Sequence, residues 1–171
     1  MGKRYVGIDP GQKGYMSIER ENGKYDFYSL QDNDLYKIGD VLAELAQSDD
    51  EYMVVMEEIH ALFGSSAKAT FSFGEIYGTL KGLLIANKIP YSLVPPSKWQ
   101  KKIWINSDVE YIHKIVCGKP KKTVNTKKTS INAAKRLFPS IDLRRNERCK
   151  NIDDNKVDSL LIMEYGRRNN L

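Results

Sequence analysis

The chain has 171 residues, 41% of them apolar, and a formal net charge of +5, which predicts a single domain over residues 1–171, since a chain of this size buries most of its unfolded surface. No apolar run approaches the roughly 18 residues of a membrane span, and Met1-Gly2-Lys3-Arg4 leads straight into an expected strand rather than a signal-peptide core, so no membrane association is expected. Cys117 and Cys149 lack a Cys-x-x-Cys spacing, which points away from a zinc site or a disulfide framework and towards a reducing, cytoplasmic setting.

Arg4 to Asp9, Gly14 to Arg20 and Tyr25 to Leu30 read as three short strands of an antiparallel meander, broken at Gly11-Gln12-Lys13 and by a hairpin signal at Asn22-Gly23. Asp34 can cap a helix running to about Ala46, because Leu35, Ile38, Leu42 and Leu45 recur at helical spacing. Tyr52 to Ile59 is a nearly continuous apolar run that ends in Glu57-Glu58. Burial of both its faces predicts a central strand paired in parallel with the first. A second helix is expected over about Thr70 to Asn87, where Phe73, Ile76, Tyr77, Leu80, Leu83 and Leu84 follow the helical period. Gly74, Gly78 and Gly82 draw a separate line along it. A helix-interior glycine costs around 1 kcal/mol relative to alanine, so a close backbone neighbour should compensate, either the sheet beneath or the same helix of a second copy. Tyr91 to Val94 reads as a last strand stopped by Pro95-Pro96, followed by a helical stretch to about Cys117 and a loop at Gly118-Lys119-Pro120-Lys121-Lys122. Asn125 or Thr126 can cap a helix to Phe138, with Ile131, Ala134 and Leu137 inward. The final helix spans roughly Asp153 to Arg168, with Arg167-Arg168 favourably placed near its C-terminus.

Charge is distributed unevenly. Tyr111 to Ile141 holds eight basic residues (Lys114, Lys119, Lys121, Lys122, Lys127, Lys128, Lys135, Arg136) and no acid, a local +8 that leaves −3 for the rest. Met1 to Glu58 holds six bases against thirteen acids, a balance of −7. A basic run generally reads as a solvated face. Beside an acidic half that carries candidate metal ligands, it suits a phosphodiester substrate, whose phosphates must be attracted before they can be acted upon.

Asp9 closes an apolar strand inside Tyr5-Val6-Gly7-Ile8-Asp9-Pro10-Gly11, and Glu57 closes the expected central strand. The two carboxylates converge if those strands are parallel neighbours. Asp154 and Asp158 lie four residues apart on the last helix, share one face, and can be presented to the same strand ends. Hydrolysing a phosphodiester with two divalent metals needs carboxylates that hold both ions about 4 Å apart, one activating water and the other stabilising the leaving oxygen. Hard oxygen donors of this kind suit magnesium. Singly, each acid has a plainer reading: Asp-Pro-Gly is an ordinary turn, Glu57 and Glu58 point to opposite strand faces, and Asp153-Asp154 can cap a helix. The two histidines, His60 and His113, offer little for nucleophilic catalysis, and no Ser-His-Asp or Cys-His arrangement stands out.

Taken in order, these segments resemble one family. Val6-Gly7-Ile8-Asp9-Pro10-Gly11 resembles the first motif of RuvC-like Holliday junction resolvases, and Val55-Met56-Glu57-Glu58-Ile59-His60-Ala61 resembles the second, with Phe73-Gly74 and Tyr77-Gly78 following inside a helix. Val94-Pro95-Pro96-Ser97-Lys98-Trp99 is similar to the Pro-x-x-Trp stretch of the phage-encoded branch. Lys156-Val157-Asp158-Ser159-Leu160-Leu161-Ile162-Met163-Glu164-Tyr165-Gly166 is similar to the closing Ala-Asp-Ala-Leu-Leu-Ile-Ala-Glu-Tyr segment. The resemblance implies an α/β RNase H-like fold with a central mixed five-stranded sheet flanked by helices. It also implies a homodimer that binds branched DNA and nicks it with two Mg2+ or Mn2+ ions to leave 5′-phosphates. On this resemblance Asp9 bridges both metals, Glu57 and Asp158 complete the cluster, and the fourth ligand comes from the start of the last helix. Bacterial members carry an acid or histidine three residues before the final Asp, where this chain has Asn155. Asp154 stands one residue earlier, as in phage relatives, and is the expected ligand, with Asn155 a neutral contact. The family's dimer seam runs along the second helix and agrees with the line of Gly74, Gly78 and Gly82. Such an enzyme uses no nucleotide cofactor and, if phage-encoded, works in the cytoplasm of a bacterial host.

DNA contact is expected from Lys98, Lys101, Lys102, Lys119, Lys121, Lys122, Lys127 and Lys128, and from Phe63, which lies beside Gly64-Ser65-Ser66 and can stack on an unpaired base. Neutralising about six phosphates would make log K fall with log salt at a slope of about −5. Trp99 and Trp104, interleaved with lysines, can touch DNA as well, although core packing is the default for tryptophan. Within the nuclease class, broader cutting of forks and flaps fits the same ligands. Two other classes share part of the pattern. A sugar-kinase or actin-type ATPase has an Asp-x-Gly phosphate motif resembling Asp9-Pro10-Gly11, but needs two such domains around a cleft, more than 171 residues supply. A non-catalytic DNA-binding relative would keep the fold without the metals.

Overall fold

The computed structural model describes residues 2–31, 35–59, 66–116 and 119–171, with Asn22, Lys114, Val116 and Lys119 described by backbone alone. Strands β1 (Lys3–Asp9), β2 (Tyr15–Glu19) and β3 (Tyr25–Ser29) form the antiparallel meander. β1 pairs in parallel with β4 (Glu51–Glu57), and β4 with β5 (Tyr91–Val94), giving the order β3-β2-β1-β4-β5. This is the mixed five-stranded sheet of an RNase H-like α/β fold. It is flanked by α1 (Leu35–Ala46), α2 (Ala67–Ala86), α3 (Pro96–Ile103), α4 (Thr126–Leu137) and α5 (Asp154–Arg168).

Successive side chains on a strand point to opposite faces, so each central strand feeds two cores. Val6, Ile8, Val54 and Met56 join Ile38 and Leu42 of α1 and Leu80 and Leu84 of α2 on one side. Tyr5 and Val55 join Trp99 of α3, Ala133 of α4, and Leu160 and Leu161 of α5 on the other. Asp9 shares the parity of Tyr5 and Gly7, and Glu57 that of Val55. Both strands therefore end with a carboxylate on the α5 side. Gly7 is what lets α5 approach: a Cβ there would stand 2.0 Å from the Ser159 carbonyl oxygen and 2.5 Å from the Met163 nitrogen. Across the same contact the buried Ser17 and Ser159 hydroxyls are 2.5 Å apart.

Two expectations are corrected. The stretch after β5 is not one helix to Cys117: α3 ends at Ile103, a short 3-10 turn covers Asn106–Asp108, and the chain continues as β6 (Tyr111–Val116). The basic segment expected as a loop returns as β7 (Lys119–Val124), so 111–124 carries an antiparallel two-stranded ribbon separate from the main sheet. Ile112, Ile115, Val116, Thr123 and Val124 are β-branched, and that composition favours strands over a helix. The second correction concerns Gly74, Gly78 and Gly82, which do not pack on the sheet. They are exposed, and nothing lies within 4 Å of a Cβ built at any of them. α2 begins at Ala67, ahead of Thr70, because Ser66 caps it, its hydroxyl accepting from the Ala69 N–H at 3.2 Å. The expected cap Asp34 lies outside the described residues. No described helix is long and apolar enough to cross a membrane.

Candidate active site

β1 and β4 run in parallel register as far as Ile8 and Met56, so Asp9 and Glu57 follow as neighbours at one end of the sheet. α5 lies across β1, β2 and β4 and brings its first turns to that end. Asp153 caps the helix, its carboxylate accepting from the Asn155 N–H at 3.1 Å, the Lys156 N–H at 3.4 Å and the Tyr15 hydroxyl at 3.3 Å. Capping is thus done by one acid of the Asp153-Asp154 pair, which leaves Asp154 to act with Asp158 on the strand-end carboxylates.

The acids sense one another. Asp9 is pushed up to about 8, first by burial, then by the charges of Asp158 and Glu57, with the Gly11 N–H opposing and Asp154 adding. That N–H donates to Asp9 Oδ1 at 3.4 Å. Asp158 is pushed up to about 7 by burial, with Glu57 and Asp154 adding and the nearby Ser130 hydroxyl and Lys127 opposing. Burial also raises Glu57, against the indole N–H of Trp99, which donates to Glu57 Oε2 at 2.7 Å. Burial disfavours the charged form of each acid, and repulsion between carboxylates adds to it at Asp9 and Asp158, so the shifts share one direction. Oδ1 of Asp158 is buried without a hydrogen-bond partner, and Ser130 Oγ, although it faces the carboxylate, completes no hydrogen bond either. A carboxylate oxygen shut away from water without a donor is an oxygen that a cation would satisfy. Among the described residues no three Asp, Glu, His or Cys side chains close round a single point tightly enough to hold an ion. The donor set is nonetheless all hard oxygen, which fits Mg2+ or Mn2+ and not a thiolate- or imidazole-seeking metal.

Lys127, expected as a DNA contact, is placed at the cluster: its Nζ lies 2.5 Å from Asp154 Oδ2, and that bond raises its pKa. Lys98, Lys101 and Lys102 are exposed on α3, Lys121 and Lys122 on β7, and Lys128 on α4. Lys119 begins β7, and Phe63 lies outside the described residues. Trp99 is fully buried and meets Trp104 edge-on at 6.1 Å, so core packing prevails over DNA contact for Trp99. Its role at Glu57 was not read from the sequence. The signal was topological: Val94 is the register partner of Glu57, and α3 starts just after it, so a residue in the first turn of α3 falls beside that carboxylate. Ser130 carried no signal at all. A cleft of about 590 Å3 between α1 and α2, lined by Leu35, Tyr36, Gly39, Asp40, Thr79 and Leu83, lies across the sheet from the carboxylates and plays no part in their chemistry.

No family model matches the sequence, and no curated protein matches it. Among solved structures the chain is similar to T. thermophilus RuvC in complex with Holliday junction substrate, with a TM-score of 0.56 and 12% identity over 96% of this chain and 95% of that one. A second Thermus thermophilus RuvC structure gives a TM-score of 0.55 and 13% identity over 98% and 96%. The yeast mitochondrial Holliday junction resolvase Ydc2 gives 0.50 and 16% identity over 97% of this chain and 78% of that one. At such identities the likeness establishes architecture: the chain has the fold of these resolvases over nearly its whole length.

Proposed function

We propose that the chain is a divalent-metal-dependent, structure-selective DNA endonuclease of the RuvC-like type, from its phage-encoded branch, which resolves four-way junctions and related branched DNA. One observation carries this reading. Asp9 and Glu57 end adjacent parallel strands on the face covered by α5, where Asp158 and Asp154 act on them, in a fold shared with junction resolvases.

Two Mg2+ or Mn2+ ions, when bound, would supply an activated water and a stabilised leaving oxygen. Asp9, Glu57, Asp158 and Asp154 would hold them. Burial raises Asp9 to about 8 and Asp158 to about 7 in the metal-free protein, so cation binding there would displace protons. The Trp99 indole N–H holds Oε2 of Glu57 and so fixes the orientation of a carboxylate that would serve as a ligand. Asp154, now paired with the Lys127 ammonium, would be one of the residues that hold a cation, and Lys127 would then be available to phosphate. Lys98, Lys101, Lys102, Lys119, Lys121, Lys122 and Lys128 attract the DNA backbone, and Phe63 remains a candidate for contact with an unpaired base. The protein works as a homodimer in the cytoplasm, without a nucleotide cofactor. Its seam is the open stripe of Gly74, Gly78 and Gly82, bordered on α2 by Phe71 and Ile85, which are 69% and 63% exposed.

The test compares nicking of a labelled four-way junction, a fork, a flap and a linear duplex at matched salt in Mg2+, with the parent and Asp9→Asn. The parent should cut the junction and leave 5′-phosphates, while Asp9→Asn should lose cleavage and bind at least as well, because a negative charge facing phosphate is removed. Equal cutting by variant and parent defeats the enzyme reading. Equal cutting of fork and junction by the parent identifies a broader branched-DNA nuclease, and binding without cutting identifies a non-catalytic relative.

A further inference from the structure

Large exposed apolar side chains fall into two groups among the described residues. Tyr36, Phe71 and Ile85 stand on α1 and α2, on the side of the proposed seam. Tyr111, Ile115 and Val124 stand on the β6–β7 ribbon, with Ile105 shortly before it. The seam leaves this second group unexplained.

Register sorts the ribbon into two faces. Tyr111 pairs with Val124, His113 with Lys122 and Ile115 with Pro120, so these six residues share one face, while Ile112, Thr123 and Lys121 lie on the other. The first face is largely apolar and open to water: Ile115 is 80% exposed and Tyr111 49%. The Lys122 ammonium sits 3.8 Å from the centre of the Tyr111 ring. A two-stranded ribbon is only marginally stable alone, and apolar side chains displayed on it add no core. Such a surface marks a place where something else sits.

The charge says what. The ribbon carries Lys114, Lys119, Lys121 and Lys122 and no acid, which suits a polyanion. Its base is fixed close to the carboxylates. The Asn125 N–H donates to the Glu110 carbonyl at 2.8 Å, and the Glu110 N–H donates to Thr129 Oγ1 at 3.1 Å. Behind it the Arg136 guanidinium grips the buried Asp108 carboxylate with bonds of 2.9 and 2.7 Å. α4, which starts at this base, carries Lys127 against Asp154. Six-residue strands reach about 20 Å, roughly six base steps along a duplex. A phosphodiester at the carboxylates therefore brings neighbouring nucleotides within the ribbon's reach.

Resting on the nuclease reading above, we infer that the β6–β7 ribbon recognises the branch itself: the face of Tyr111, Ile115, Pro120 and Val124 covers unstacked bases at the branch point, while Lys121 and Lys122 hold adjacent phosphates. A stacked duplex offers this face no base surface, whereas an opened junction does. The ribbon then supplies discrimination and the carboxylates supply cleavage.

The test uses the full chain carrying Tyr111→Ser and Ile115→Ser together, a change that alters no charge, beside the parent and Lys121→Ala/Lys122→Ala. Affinity is measured without Mg2+ for a synthetic four-way junction carrying 2-aminopurine at the branch and for a linear duplex of equal length. The serine variant should bind the junction about tenfold more weakly, lose the 2-aminopurine quenching and bind linear duplex like the parent, with its salt slope unchanged. The lysine variant should weaken binding to both DNAs and reduce the slope by about 2. Equal weakening on both DNAs by the serine variant, parental junction binding, or a change of oligomeric state in sedimentation would each overturn the inference. Ile115→Ser alone carries the same test should the double variant be less stable. A parent that neither cuts nor prefers branched DNA defeats the nuclease reading and this inference together. A parent that cuts junctions beside a serine variant that binds them equally well defeats the inference alone.

Discussion

Asp9→Asn should stabilise the metal-free protein, and only above the pH at which an ordinary aspartate ionises. In the folded chain this carboxyl is pushed from 3.8 up to about 8, chiefly by burial and then by Asp158 and Glu57. An acid whose folded pKa is raised binds more protons folded than unfolded between those two values. Its contribution to stability is fully present below the unfolded pKa and is lost as pH rises through the folded one. Each pH unit in that window costs about 1.4 kcal/mol, so at pH 7 the raw figure is about 4 kcal/mol. Part of the shift is repulsion that relaxes while Asp158 or Glu57 keeps its proton, and Asp9 retains some solvent contact, so the expected gain is about 2 to 3 kcal/mol. Asparagine keeps the shape and can still accept the Gly11 N–H. Urea unfolding in EDTA at about pH 3 and pH 7.5 reads the effect: near zero at the acidic end, where both states are largely protonated, and 2 to 3 kcal/mol at about pH 7.5. In excess Mg2+ the order should reverse, because only the parent gains from binding. A variant less stable than the parent in EDTA at the higher pH, or a difference independent of pH, would refute the argument that burial and crowding set the charge of this site.

Trp99→Phe keeps the buried ring but leaves Glu57 Oε2 without its donor, which should cost about 1 to 3 kcal/mol in urea unfolding. It should also raise the Glu57 carboxyl further, moving the acid limb of the cleavage pH profile upward; a profile and stability both equal to the parent's count against the positioning role. Gly78→Leu should fold as stably as the parent, since nothing surrounds the new side chain, yet shift sedimentation from dimer to monomer. A persistent dimer removes α2 as the seam. Gly7→Ala should lose about 3 kcal/mol or more, because its methyl would meet the α5 backbone. Parental stability there would contradict the close seating of α5 on β1.

The sheet was legible because its signals are local and agree: Asn22-Gly23 marks a turn, the unbroken run before Glu57 marks a strand covered on both faces, and spacing marks α1 and α5. The strand-end acids followed from the same logic. What escaped was set by tertiary neighbours or masked by composition. Lysines at 119, 121 and 122 read as loop because charge drew attention away from the β-branched Thr123 and Val124 that follow them and from Ile112, Ile115 and Val116 on the paired strand. Trp99 and Ser130 act through positions delivered by other elements, and no pattern within α3 or α4 announces that. The acids at 153 and 154 are indistinguishable in sequence; only the direction of the first helical turn decides which caps and which meets Lys127.

The division of labour between the two sides of the sheet follows from strand parity. Val6 and Ile8, like Val54 and Met56, point towards α1 and α2, while Tyr5 and Val55 point towards the other three helices. Asp9 and Glu57 continue the second series, so burial for stability and display of carboxylates for chemistry use alternate residues of the same two strands. A one-residue slip between β1 and β4 would leave one carboxylate under α5 and turn the other into the apolar layer beneath α2. The register that builds the two cores is therefore the register that assembles the site. Selection for a well-packed sheet and selection for converging acids act on the same pairing, Gly7 against Val55 and Ile8 against Met56.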